Sequence, residues 1–228
     1  MNEKKLHKGR GAISNPASRF DPHVSEPVDD GWNEVESADI SLSAPKTKFF
    51  PDQTRNIIAT NKSPDIPFDR SINPYKGCEH GCVYCYARPT HAFLGLSPGL
   101  DFETRIFYKT EPAARLSEAL ERRGYKVRPI AMGTNTDPYQ PGERQLGITR
   151  EILKTLLRYR HPVTLVTKST LILRDLDILA ELATLGLVQV SVSVTTLNNG
   201  LKTALEPRTA GPRARLRVLD SLHQARVP

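Results

Sequence analysis

The stretch SINPYKGCEHGCVYCYARP, residues 71–89, holds all three cysteines of the 228-residue chain: Cys78, Cys82 and Cys85, spaced C-x3-C-x2-C. A strand-like run over residues 70–75 leads into it. Gly77 and Gly81 each precede a cysteine. Glycine's access to positive φ lets such a loop curl around a compact object. Thiolates are soft ligands suited to iron–sulfur clusters and zinc. Three of them on one loop leave a fourth position to be supplied by something else.

Clustered cysteines with no cysteine elsewhere point to metal rather than to a disulfide framework. The N-terminal residues are basic but form no apolar segment of the signal-peptide kind. No run of about 18 apolar residues is present, so no membrane span is expected. These features predict a cytoplasmic protein. Residues 71–228 carry 22 Lys and Arg against 14 Asp and Glu, whereas residues 1–70 are near neutral. A basic excess confined to the folded part fits a polyanionic partner such as nucleic acid, or else a solvated surface of high pI.

Outward from the loop, residues 1–44 show no sustained periodicity and predict a mostly disordered, basic and polar arm. Within it, residues 4–12 (KKLHKGRGA) read as a flexible tail or as a contact to a phosphate backbone. Residues 47–61 predict an edge strand or hairpin with Pro51 at its turn. A short helix is expected over residues 86–93. Strands are then expected at residues 101–109, 128–133, 161–168 and 187–196, alternating with helices at 111–123, 142–159, 173–185 and 211–225. That rhythm predicts an α/β fold with a parallel sheet. It amounts to a partial (βα) barrel of about four units over residues 45–228. The last strand would be an edge with unpaired backbone groups. Such a chain is either a truncated product or one that relies on a partner to cover that edge.

The string GCEHGCVYCYARP, with AMGTNTDPYQP (residues 131–141) and TKS (residues 167–169), resembles the radical S-adenosylmethionine superfamily. More narrowly it resembles the DNA-repair-photolyase-like branch that includes spore photoproduct lyase. The resemblance implies that Cys78, Cys82 and Cys85 hold three irons of a 4Fe-4S cluster. The fourth iron would bind S-adenosyl-L-methionine, which is cleaved to methionine and a 5'-deoxyadenosyl radical. It further implies a lyase-like enzyme, a nucleic-acid substrate of the DNA-repair kind, and a reductant of flavodoxin or ferredoxin type. The competing reading of the cysteines is a structural zinc module with His80 or His91 as fourth ligand, although zinc usually draws on two separated ligand pairs.

Parallel sheets bind ligands at the carboxyl ends of their strands. Four groups of polar residues fall there: Thr134, Asn135, Thr136 and Asp137; Lys168 and Ser169; Ser191, Ser193 and Thr195; Glu206 and Arg208. By resemblance, Tyr84 would pack near the cluster or the adenine, and Tyr86 matches a tyrosine that follows the third cysteine in the branch. Lys168 would meet the methionine carboxylate. Ser193 would bind the ribose, with Ser191 as an alternative of the same parity. Asn135 and Asp137 are candidates for the methionine ammonium or the substrate. Asn, Asp, Ser and Thr at strand ends also serve turns and caps. With all three cysteines committed to the cluster, a lyase of the resembled kind would need Tyr108, Tyr125, Tyr139 or Tyr159 as hydrogen donor, or residues from a missing C-terminal portion. A third possibility keeps the cluster but not the chemistry, as a catalytically incompetent iron–sulfur protein that binds nucleic acid or a partner.

Overall fold

The structure, a computed structural model, describes residues 9–17 and 45–228. Two strands come first, β1 (Lys48–Asp52) and β2 (Ala59–Thr60). The run before the cysteines is then divided between two sheets. β3 (Arg70–Ile72) enters the main sheet, residues 73–74 turn the chain aside, and β4 (Tyr75–Lys76) pairs elsewhere. Pro74 has no N–H with which to continue a ladder, and its carbonyl accepts from the Lys109 amide at 3.0 Å. The loop that follows contains the cysteines and a 3-10 turn (Arg88–Leu94). Next come α1 (Leu100–Thr104), β5 (Arg105–Lys109), α2 (Pro112–Glu121), β6 (Ile130–Met132), α3 (Glu143–Leu146), α4 (Ile148–Arg158) and β7 (Val163–Thr167). A second 3-10 turn (Thr170–Asp175) leads to α5 (Leu176–Thr184), β8 (Val188–Val192), α6 (Asn199–Leu205) and α7 (Pro212–Gln224).

The main sheet has the order β2-β3-β6-β7-β8, with β3, β6, β7 and β8 parallel and β2 antiparallel on β3. It is open rather than closed into a barrel. Strand side chains alternate between faces, and the two faces differ. On one, Val163, Leu165 and Val188 join Ile152, Leu153 and Leu156 of α4, Ile178, Leu179 and Leu182 of α5, and Val218 and Leu222 of α7 in a single core. The apolar residues of each helix recur three and four apart, so each presents one stripe to the sheet. On the other face, Ala131, Thr164, Val166, Gln189 and Ser191 line a groove of about 890 Å³ together with the loop at residues 61–69.

Several expectations need correction. Residues 101–109 are not the first strand of the parallel sheet. Residues 101–104 are helical, and β5 belongs to a separate small sheet, β1-β5-β4. The alternation there misled because Glu103, polar in the pattern, is fully buried. The first parallel strand is instead β3. Pro51 lies within edge strand β1 rather than at a turn. The helix expected over residues 142–159 is broken at Gly147, whose φ is 67°, and α6 was not anticipated. β8 is an edge, as expected, but its Val190 amide donates to the Pro228 carbonyl at 2.7 Å. The arm expected over residues 1–44 lies mostly outside the described residues. Where it is described, at residues 9–17, it is docked, and Arg10 is buried. Among the described residues no helix is long and apolar enough to cross a membrane.

Candidate functional site

The cysteine loop sits beside the carboxyl ends of β6, β7 and β8. It is tied there by contacts of long sequence separation. The Cys78 amide donates to Phe102 O at 2.9 Å, and Cys78 packs with Ala87, Phe102 and Cys85. The Glu79 amide donates to Gln140 Oε1 at 2.9 Å, and Gln140 Nε2 returns a bond to Gly77 O at 3.2 Å. The buried Glu79 carboxylate accepts from the Gly142 amide at 2.6 Å, Thr47 Oγ1 at 2.8 Å and Arg208 Nη2 at 3.2 Å. The turn after α6 closes over the loop, with Val83 N donating to Leu205 O at 3.0 Å and Arg208 N to His80 O at 3.2 Å.

Two tyrosines flank Cys85 and reach in opposite directions. The Tyr84 hydroxyl donates to Glu206, beyond β8, and the Tyr86 hydroxyl donates to the carbonyl of Thr134, after β6. Tyr84 is 49% exposed and Tyr86 73%, but the Tyr84 hydroxyl reaches a buried carboxylate, whereas the Tyr86 bond lies at the surface. Lys168, directly after β7, places its ammonium 5.9 Å from the centre of the Tyr84 ring. Glu206 is fully buried and also accepts from Arg215, whose other nitrogens hold the carbonyls of Ser193 and Ala210, each at 2.8 Å. Burial by itself raises the Glu206 pKa. The hydrogen bonds from Tyr84 and Arg215 and the Arg215 charge outweigh it and hold the group below the usual carboxylate range.

Asp137 is the other buried hub. It accepts from Thr167 Oγ1 at 2.7 Å, from the Lys168 amide at 2.8 Å and from the Tyr139 amide at 2.9 Å, and its Oδ2 lies 3.3 Å from His80 Nδ1. Burial pushes its pKa up, but His80 and these donors more than compensate, so the net shift is downward. Asp137 therefore joins the cysteine loop to the end of β7 and has little capacity left for a ligand.

The remaining predicted residues divide in two. Thr136 is buried and donates to Tyr75 O at 2.8 Å, Ser169 caps the turn after β7, and Thr195 lies near Glu206 and helps to lower its pKa. These are turn and cap roles. By contrast, among the described residues the Asn135 amide group and the Ser193 hydroxyl have no hydrogen-bond partner, and Lys168 has no carboxylate partner. Ser191 lines the open groove, and Ser193 lies just beyond the end of β8, its amide donating to Thr167 O at 2.9 Å. The four tyrosines named as hydrogen donors are placed otherwise, and none of them lines that groove. Tyr139 is fully buried, and Tyr125 and Tyr159 bond to His161 and Glu121. Sequence reasoning also missed Arg215 as the partner that holds Glu206, since nothing local marks a helical arginine as buried.

Burial pushes the Cys78 thiol well up and raises Cys82 to about 11, with the Lys168 charge opposing the latter shift. A coordinating metal reverses that preference and holds thiolates. Among the described residues no three His, Cys, Asp or Glu side chains gather for one metal ion. His80 is engaged by Asp137, and His91 Nε2 lies 3.0 Å from Arg105 O.

Comparison with known proteins follows the same line. The sequence model of the Radical SAM superfamily matches residues 72–228. An uncharacterized protein of Mycobacterium tuberculosis is 39% identical over 170 residues, which is 73% of this chain and 50% of that protein. An uncharacterized protein of Methanocaldococcus jannaschii is 28% identical over 153 residues, covering 67% of this chain and 54% of the relative. The chain thus spans about half the length of the curated relatives it matches. Among solved structures, spore photoproduct lyase complexed with dinucleoside spore photoproduct superposes with a TM-score of 0.55 at 17% identity, over 78% of this chain and 48% of that one. A mutant of that enzyme with bound AdoMet and dinucleoside spore photoproduct gives 0.54 at 16% identity, over 78% and 47%. At such identity the likeness speaks to the fold. The chain belongs to the radical SAM superfamily.

Proposed function

We propose that the chain is the catalytic portion of a radical S-adenosylmethionine enzyme that acts on a nucleic-acid substrate. In this reading Cys78, Cys82 and Cys85 hold a 4Fe-4S cluster. When bound, that cluster supplies the electron that cleaves S-adenosylmethionine and releases a 5'-deoxyadenosyl radical. The observation that carries the reading is the position of the three-thiol loop. It lies over strand ends where Asn135, Lys168 and Ser193 keep their polar side chains uncommitted.

The chain's own residues divide the work. Lys168 supplies a positive charge for a carboxylate, and Ser193 and Asn135 supply hydrogen-bonding groups for a ribose and an ammonium. Tyr84 and Tyr86 keep the loop at a set distance from the strand ends. The groove over the open sheet face, lined by Thr164, Val166, Gln189 and Ser191 with Phe68 and Arg128 at its side, is the place for a substrate. The substrate class is supported by the basic excess of residues 71–228 and by the nucleic-acid lesion bound in the structural relatives.

Anaerobic reconstitution with iron and sulfide tests the reading. A brown protein that dithionite bleaches, and that releases 5'-deoxyadenosine from S-adenosylmethionine, is expected. Loss of the chromophore in Cys82→Ala is expected with it. A colourless, zinc-loaded protein would remove the cluster. A cluster that never cleaves S-adenosylmethionine would leave an iron–sulfur protein without the chemistry. Salt-sensitive binding to an oligonucleotide supports the substrate class, and salt-insensitive or absent binding argues against it.

A further inference from the structure

Residues 9–17 lie against the cysteine loop through a closely fitted set of contacts. Gly11 faces Gly81, the residue before Cys82, so closely that a Cβ on Gly11 would fall 1.8 Å from Gly81 O. Gly81 itself has φ 67° and leaves no room for a side chain, since a Cβ there would lie 2.8 Å from Glu103 Oε2. The fully buried Glu103 carboxylate accepts from the Gly11 amide at 3.0 Å and from the Ala12 amide at 2.8 Å. Its third donor is Arg88 Nη2, at 2.6 Å. Arg88 in turn holds the Cys82 carbonyl with Nε at 3.1 Å and Nη2 at 3.0 Å.

A second line of contacts runs from Arg10 toward Cys78. The buried Arg10 guanidinium donates to Glu103 O at 2.8 Å, Pro45 O at 2.6 Å and Thr47 Oγ1 at 3.0 Å. Thr47 Oγ1 then donates to Glu79 Oε1 at 2.8 Å, next to Cys78. Farther along, Leu100 N donates to Ser14 O at 3.1 Å, and Asn15 and Asp101 exchange two bonds. The segment therefore reaches two of the three cysteines through two intermediaries each, Glu103 and Arg88 on the way to Cys82, and Thr47 and Glu79 on the way to Cys78, without supplying a ligand.

We propose that residues 9–17 form a strap that sets the geometry of the iron–sulfur centre, with Arg10 and Gly11 as its positioning residues. The proposal rests on Cys78, Cys82 and Cys85 being cluster ligands. Groups that hold metal ligands from behind influence both the retention and the electronic character of the metal. Here the strap shares the Glu103 charge with Arg88. That sharing fixes how firmly Arg88 grips the Cys82 backbone. With the strap displaced, Arg88 is left as the one donor to the buried Glu103 carboxylate among the described residues, and Gly81 is no longer held in place.

The test uses the full chain, reconstituted anaerobically, in five forms: wild type, Gly11→Val, Arg10→Met, Arg10→Lys and Leu222→Ala. The last is a core variant in α7, matched by melting temperature as a control for lost global stability. Three quantities are read: the rate of iron loss to a chelator, the electron paramagnetic resonance line shape of the reduced cluster, and its reduction midpoint. Gly11→Val and Arg10→Met are expected to lose iron about tenfold faster, with an altered line shape and a shifted midpoint. Arg10→Lys should recover part of each, and Leu222→Ala should keep the wild-type spectrum. Wild-type spectra and iron retention in Gly11→Val and Arg10→Met would overturn the strap, as would equal changes in Leu222→Ala. A wild-type chain that takes up no cluster, or a Cys82→Ala chain that loads like wild type, instead overturns the ligand reading beneath it, and the strap falls with it.

Discussion

Arg208 and Glu79 form an ion pair at 3.2 Å across 129 residues of chain. Glu79 is the residue after the first cysteine, and Arg208 lies in the turn that follows α6. The neighbouring backbone bonds, Arg208 N to His80 O and Val83 N to Leu205 O, make the two segments one unit. Removing Arg208 leaves Glu79 buried with one donor fewer, which costs about 1–3 kcal/mol. In Arg208→Ala, hydrogen exchange at Val83 and its neighbours should speed up relative to exchange at β7. Unchanged protection there would show that the turn does not hold the loop.

Arg215 and Glu206 are both almost fully buried. Truncating one partner of such a pair leaves a stranded charge, at a cost of about 3–5 kcal/mol. Arg215→Met should show that loss in urea denaturation. Arg215→Met combined with Glu206→Gln should recover a large part of it, because the orphaned carboxylate is gone. Equal losses in the single and double variants would contradict this account of the pair.

Lys168 has no carboxylate partner among the described residues and is only partly buried. Lys168→Met should therefore melt within a degree or two of wild type. Its affinity for S-adenosylmethionine should fall about tenfold or more, the worth of one hydrogen bond to a charged group. Titration calorimetry on the reconstituted protein measures this, and undiminished affinity would place the methionine carboxylate elsewhere.

His161 precedes β7, where Tyr125 Oη lies 2.8 Å from its Nε2 and Pro162 O lies 3.0 Å from its Nδ1. Burial lowers its pKa below the usual 6.5. Below about pH 6.5 the unfolded chain thus binds a proton that the folded chain refuses, so stability falls as pH drops through that value toward the folded pKa. His161→Gln lacks this term. The urea midpoint of wild type should fall more between pH 7.5 and pH 5.5 than that of the variant, and parallel slopes would exclude the histidine.

Much of the cysteine site can be read from adjacent residues. The three thiols, the glycines that precede two of them and the aromatics around Cys85 lie within a dozen positions, so spacing alone brings them to one loop. The strands β6, β7 and β8 and helices α2, α4, α5 and α7 are likewise visible as alternating apolar runs, because each needs only its own periodicity to be recognised. Lys168 and Ser193 follow from the same rule, being the residues at or just beyond those strand ends.

Other features are set only by the packed chain. Residues 70–75 look like one strand, yet Pro74 and the Lys109 amide divide the run between two sheets. Residues 101–109 look like another, yet Glu103 is buried because Gly11, Ala12 and Arg88 surround its carboxylate. The partner of Tyr84 is a glutamate 122 residues away, and the partner of that glutamate is a helical arginine. Local sequence encodes propensity and periodicity, which act over a few residues. The pairing of buried charges is decided where distant segments meet and exclude water, since a buried carboxylate must find its donors wherever the fold brings them. The sequence by itself determined the three-thiol loop and the parallel rhythm beneath it. The tertiary structure decided what holds that loop over the strand ends.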